Sequence, residues 1–165
     1  MKNLMFILLF CSVVHSQDFM MVGGDVVLEK IIHEKADVDK FISNMRRSGN
    51  FTEINRDGNS IYAYMPPKKI NTKLADGGGS LYMFTDNVSA YTVVDFKDDR
   101  YRITVKKIIF VANVDTGFGA TGQETPLERY ALNRSGFRKA FLKRDSEILK
   151  ANLLENFDFN KRDDW

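Results

Sequence analysis

The stretch YTVVDFKDDRYRITVKKIIFV, residues Tyr91 to Val111, decides the fold. Two runs rich in Val, Ile, Thr, Tyr and Phe flank the charged KDDR, which is the pattern of a β-hairpin. With Asp98-Asp99 as a two-residue turn, Lys97 pairs with Arg100, Phe96 with Tyr101, Asp95 with Arg102 and Val94 with Ile103. Side chains alternate across a strand. One face therefore carries Val94, Phe96, Tyr101, Ile103 and Val105, and the other Asp95, Arg102, Thr104 and Lys106. The register is self-consistent: apolar residues point in, charged ones point out, and Asp95 faces Arg102. Continued strictly, the alternation puts Ile108 and Phe110 on the polar face, which leaves open whether they mark an interface.

The chain around this hairpin has 165 residues, one domain's worth or one domain with a processed end. Lys+Arg 24 against Asp+Glu 22 gives +2, no global reason to invoke nucleic acid or an anionic membrane. A hydrophobic fraction of 44% is that of a globular protein and too high for a disordered one.

The N-terminus reads as separate from the fold. Lys2 precedes the apolar run Leu4 to Phe10, and the smaller, more polar Cys11 to Ser16 follow. That is the layout of a secretory signal peptide cleaved after Ser16, with Val14 and Ser16 at the −3 and −1 positions. The run is too short to span a bilayer comfortably. Cys11 offers a lipoprotein route, but Phe10 sits where such signals carry Gly, Ala or Ser. Cleavage after Ser16 removes Lys2, the only Cys and one of two His, leaving 23 basic against 22 acidic residues, or +1. The mature chain would have no disulfide in an oxidising compartment, so its core must supply its stability.

Along the chain, Asp18 to Gly24 reads as a loose lead-in, and Val26 to Ile32 as a first strand. Val38, Phe41, Ile42 and Met45 then fall at i, i+3, i+4 and i+7, one helical stripe capped by Asp37 and stopped by Gly49. Phe51–Asn55 and Ser60–Met65 flank Asp57-Gly58 as a type I′ hairpin, and Pro66-Pro67 ends the second strand. Lys68 to Gly79 reads as loop and Leu81 to Thr85 as a short strand that feeds the central hairpin. The residues after Val111 form a loop to about Thr125. The remainder reads as helical, with Thr125 capping, Pro126 in the first turn and a possible break at Gly136. The domains are then 1–16 signal peptide, 17–160 a single α+β domain and 161–165 a charged tail. The fold class is α+β, β-α-β-β-β-β-α, with helices on one face of an antiparallel sheet.

A short signal, this element order and the hairpin VDFKDDRYRITV together resemble the DUF4468 family, secreted Bacteroidetes domains of unknown function marked by a strand–KDGRYR–strand hairpin. The resemblance covers Val26 to Phe110 well and the C-terminal helix loosely. It implies a TATA-binding-protein-like fold, a curved antiparallel sheet backed by helices, and an exported location. Asp99 stands where the family has Gly, and Asp tolerates turn conformations. The resemblance implies no activity, and the fold's name does not imply DNA binding.

Few residues point to chemistry. Gly117, Gly119 and Gly122 match G-x-G-x-x-G, but no second parallel strand follows to complete a βαβ unit, so a flexible loop and no cofactor are expected. His33, the single histidine after cleavage, follows a strand, and no G-x-S-x-G elbow exists to make it part of a triad. Without Cys and with one His, a zinc site is not expected. Asn55, Asp57 and Asn59 suggest the start of a calcium loop, but Gly58 is misplaced and no acidic residue closes the loop. Asp98-Asp99 and Asp163-Asp164 are adjacent in sequence, whereas glycosidase chemistry needs carboxyls facing each other across a cleft.

Arg100, Arg102, Lys106 and Lys107 form the densest basic cluster. Tyr91, Arg102, Thr104 and Lys106 share the polar face, where cations beside an aromatic could bind an anionic ligand or protein. A solvated face with cross-strand pairing to Asp95 is the plainer reading of the same residues. The expectation is an exported, non-enzymatic module of the cell envelope, periplasmic or secreted, that binds a protein or small ligand. It would have no nucleic-acid partner and no transmembrane span in the mature form. The alternative is a small enzyme or enzyme inhibitor with a site built from Asp, Glu, Tyr and Lys.

Overall fold

The computed structural model describes residues 18–75, 78–113 and 120–159. Residues 1–16, expected to be a signal peptide and including Cys11, together with Gly117, Gly119 and the tail 161–165, lie outside the described residues. In chain order the elements are β1 (Phe19–Val22), β2 (Asp25–Ile32), α1 (Val38–Ser48), β3 (Thr52–Asp57), β4 (Ser60–Lys69), α2 (Tyr82–Thr85), β5 (Asp86–Phe96), β6 (Tyr101–Ala112), β7 (Glu124–Pro126), α3 (Leu127–Ala131), β8 (Leu132–Asn133), β9 (Gly136–Phe137) and α4 (Ser146–Glu155). A π-helical turn, Phe141–Asp145, leads into α4. The sheet order is β1-β2-β6-β5-β4-β3, every neighbour antiparallel, with β7 beside the far half of β6.

The central hairpin forms in the expected register. Val94 faces Ile103, Asp95 faces Arg102 and Phe96 faces Tyr101, and the Lys97 N–H donates to the Arg100 carbonyl at 2.9 Å. Helix α1 also forms as its sequence dictates. The Asp37 carboxylate accepts from the Lys40 N–H at 2.7 Å, Gly49 takes a left-handed φ of 66°, and Phe41, Ile42 and Met45 are buried. Phe41 meets Phe96 and Tyr101 edge-on, with ring centroids 5.2 and 5.4 Å apart, which ties the helix to the base of the hairpin. Ile148, Leu149 and Leu153 of α4 bury against the same inner face, beside Leu28, Ile61, Val94 and Ile103. The fold is α+β, with the helices on one side of the sheet.

Three β-bulges depart from the plain alternation. Ser89 faces Ile109 but Tyr91 faces Lys106, so Lys107 and Ile108 together oppose Ala90. Lys107 takes φ 49° to accommodate the extra residue. The bulge resets the alternation, and Ile108 and Phe110 become fully buried core rather than an interface on the polar face. A second bulge sets Glu53, with φ 52°, and Ile54 against Ala63. The third holds Pro66 and Pro67. These prolines do not end β4, which runs on to Lys69. Beyond Tyr64 the strand has no β3 partner, so a residue without an N–H costs no ladder bond on that side.

Other expectations are corrected. The lead-in Asp18 to Gly24 contains a strand, β1, because Gly23 and Gly24 at φ 61° and 97° allow a tight return into β2. The β3–β4 turn residues are Gly58-Asn59 rather than Asp57-Gly58. Asp57 pairs with Ser60, and the positive φ sits at Gly58, the first turn position, as a type II′ turn requires. Leu81 to Thr85 is not a strand: Tyr82–Thr85 is a single helical turn before β5. The C-terminal region is less helical than expected. Thr125 lies buried in β7 rather than capping a helix, and a small β8–β9 hairpin, with Gly136 at φ 113°, separates α3 from the π turn and α4.

Candidate functional site

Among the described residues the helices leave one face of the sheet uncovered, and the predicted residues Tyr91, Arg102, Thr104 and Lys106 all lie on it. Across the strands, one row runs Ile31, Arg102, Asp95, Ser60, and the next Glu29, Thr104, Val93, Tyr62. A third row sets Lys106 opposite Tyr91 and Tyr91 opposite Tyr64.

The structure gives these residues different roles. Arg102 is neutralised within the face: Nη2 lies 3.0 Å from Asp95 Oδ2, and Nη1 lies 3.6 Å from Glu29 Oε2. Ser60 Oγ donates to the other Asp95 oxygen at 2.7 Å. Partial burial pushes the Asp95 carboxyl up, but hydrogen bonds from Ser60 and Arg102 and the charges of Arg102 and Lys106 outweigh it and hold the group below the usual carboxylate range. The hydrogen bond to Asp95 in turn raises the Arg102 guanidinium. Thr104 contributes to the ladder, its carbonyl accepting from Thr92 Oγ1 at 3.3 Å. Lys106 has no ion pair among the described residues.

Sequence reasoning missed Tyr62 and Tyr64. The alternation Ile61-Tyr62-Ala63-Tyr64-Met65 carried the signal, since Ile61, Ala63 and Met65 are buried and the two tyrosines point away. Tyr64 and Tyr91 rings lie 5.0 Å apart at 46°, while Tyr62 and Tyr91 are each 42% exposed. Among the described residues none of the three hydroxyls makes a hydrogen bond, so each faces solvent with a donor and an acceptor to offer. Of the other basic residues, Arg100 stays in the hairpin turn, 3.8 Å from Asp99, and Lys107 is the bulge residue.

Two further places carry polar side chains. A cleft of about 420 Å³ lies between the bulged end of β4 and α4, lined by Met65, Pro66, Pro67, Lys68, Asn71, Asn152 and Asn156 among others. Its asparagines already serve the backbone. Asn152 Oδ1 accepts from the Asn71 N–H at 2.7 Å and its Nδ2 donates to the Asn71 carbonyl at 3.0 Å, while Asn156 donates to the Asn152 carbonyl and accepts from Lys68. The second place is Asp145, 2% exposed, which accepts from the Ser80 N–H at 2.9 Å and from Ser80 Oγ and Tyr82 Oη at 2.7 Å each. Burial first, and then the hydrogen bond to Asp145, push the Tyr82 phenol far above its ordinary range. It stays neutral and cannot act as a base, and the trio joins the segment before α2 to the π turn.

His33 is exposed just past β2. Asn59 belongs to the β3–β4 turn, its carbonyl accepting from the Phe96 N–H at 2.9 Å. Gly122, at φ 85°, returns the chain from β6 into β7, an antiparallel partner, so this part of the glycine motif does not lead into a parallel crossover. Among the described residues no group of three His, Cys, Asp or Glu side chains could hold a metal ion.

Two crystal structures share the topology built above. A TBP-like protein from Parabacteroides distasonis superposes with a TM-score of 0.53 at 14% identity, covering 87% of this chain and 97% of that one. A DUF4468 family protein from Bacteroides ovatus gives 0.51 at 13% identity, covering 87% and 92%. The fold is TBP-like. No family model matches the sequence and no curated protein matches it. At such identities the likeness carries the fold alone. In this TBP-like chain, the face bearing Tyr62 and Tyr91 is the one without helices among the described residues.

Proposed function

We propose that the chain is an exported, non-enzymatic binding module whose recognition surface is the uncovered sheet face. One observation carries the reading. Tyr62, Tyr64 and Tyr91 are grouped on paired strands with their hydroxyls unengaged among the described residues, whereas the asparagines of the cleft beside α4 and the Asp145 carboxylate are taken up by their own neighbours. Aromatic side chains offer large contact area at small entropic cost, and fixed strands add preorganisation. An enzyme would need a poised acid or base, and the most buried carboxylate among the described residues, that of Asp145, is held by three donors. Export rests on the N-terminal segment Lys2 to Ser16, and the partner is a protein or ligand of the envelope.

The test is affinity capture from envelope extract, comparing the wild-type protein with Tyr62→Ala/Tyr91→Ala after both give the same circular dichroism and melting profile. A component retained by the first and lost by the second supports the reading. Equal retention removes this face as the site. Fractionation of the producing cells checks export: the protein belongs in the periplasmic or extracellular fraction, and recovery from the cytosol overturns that part.

A further inference from the structure

Resting on the proposed role of this face, we infer that its ligand is an acidic saccharide, bound by stacking of a sugar ring on the tyrosines and pairing of its carboxylate with Lys106. The charge distribution selects this class. Arg102 is already paired with Asp95 and Glu29, so among the described residues of these rows Lys106, directly opposite Tyr91, is the cation outside any ion pair, its charge acting on Asp95 only at a distance. One such cation beside two carboxylates suits a ligand of low charge density and not a polyphosphate backbone, whose binding requires several phosphates to be neutralised together.

The strands exclude a second class. Tyr62 and Tyr64 of β4 lie between β3 and β5, and Tyr91 of β5 lies between β4 and β6, so an extended peptide finds no strand edge to join at the tyrosines. A sugar needs no such edge. Its axial C–H bonds carry slight positive charge and settle on the negative face of an aromatic ring, while its hydroxyls exchange hydrogen bonds with groups at the ring edges. The free hydroxyls of Tyr62, Tyr64 and Tyr91 supply donors and acceptors in that place. Lys106, one strand over, supplies the complement to a uronate carboxylate.

The experiment follows backbone amides of the isotopically labelled protein by NMR during titration with tetragalacturonate, with its neutral methyl ester, and with tetraglutamate. The expected result is saturable shifts at Tyr62, Tyr64, Tyr91 and Lys106 with tetragalacturonate, about tenfold weaker binding of the ester, and none of the peptide. Tyr91→Ala should weaken tetragalacturonate by about tenfold or more, and Lys106→Gln should bind acid and ester equally. No saturable binding of either saccharide overturns the inference, as do shifts confined to other residues or indifference to Tyr91→Ala. Shifts at these residues with the peptide alone would also overturn it, yet would leave the binding role of the face standing. That role falls separately, if the Tyr62→Ala/Tyr91→Ala variant keeps its envelope component.

Discussion

Arg102 and Asp95 sit directly opposite each other on the two central strands, joined at 3.0 Å, and Glu29 completes the guanidinium's coordination from the next strand. The three side chains bridge β2, β6 and β5, so they fix the relative register of strands far apart in sequence. The Asp95 carboxyl is held below its ordinary range in the fold. Such a group contributes stability above the unfolded carboxylate pKa, and that contribution is lost as pH falls through the folded value. The melting temperature of Asp95→Asn should therefore converge on that of the wild type in acid and fall below it near neutrality. Because the pair is largely exposed, the neutral difference should be at most about 1 kcal/mol by chemical denaturation.

Lys107 holds a left-handed backbone that glycine adopts without a Cβ penalty. Lys107→Gly should thus cost nothing, or stabilise by up to about 1 kcal/mol despite glycine's larger unfolded-state entropy. Deleting Lys107 removes the extra residue and leaves Ile108 alone opposite Ala90, so Ile108 and Phe110 keep their inward face. The deletion variant should therefore keep a cooperative thermal transition, whereas an insertion of one alanine after Lys107 should abolish it by turning Ile108 and Phe110 to the other face. A deletion variant that does not fold would show that the bulge itself is needed.

Asp145 accepts three hydrogen bonds in a buried setting, so its removal strands the Ser80 N–H and hydroxyl and the Tyr82 hydroxyl. Asp145→Ala should cost about 3 to 5 kcal/mol in urea unfolding, and Tyr82→Phe about 1 kcal/mol. Similar small losses in both would mean that the trio is not a structural tie.

Gly79 packs where a Cβ would come within 3.0 Å of Ile148 Cδ1 and 3.1 Å of Met83 Cβ. Gly79→Ala should destabilise by about 1 to 3 kcal/mol through overpacking. Gly78→Ala, with open space around the new methyl, should change the midpoint little and serves as the control.

What the sequence disclosed followed local rules. The Tyr91–Val105 alternation and the Asp37–Gly49 helix each carry their own period and caps, and both form as read. Bulges broke the reading elsewhere: the inserted residue at Lys107 leaves no compositional mark yet inverts every side chain beyond it, and Pro66-Pro67, read as a strand end, mark a bulge within β4 instead. Short elements escaped for another reason. Tyr82–Thr85 is one turn long, and β7 to β9 are two or three residues each, so tertiary contacts alone decide them. At the site, four residues of one hairpin were legible together. Tyr62 and Tyr64 needed the β4–β5 pairing, and the neutralisation of Arg102 needed Glu29, which arrives from β2 across a long stretch of chain.

That crossing has a kinetic consequence. β2 pairs with β6 through Leu28 and Val105, residues brought together only after the whole intervening chain exists. The β5–β6 hairpin closes locally and can template the sheet, while Val26 and Leu28 remain exposed until it is ready. Loop closure over such separations is slow. Folding should therefore show the hairpin forming early and the first-made strand docking last, leaving the nascent N-terminal segment the stretch most in need of a chaperone.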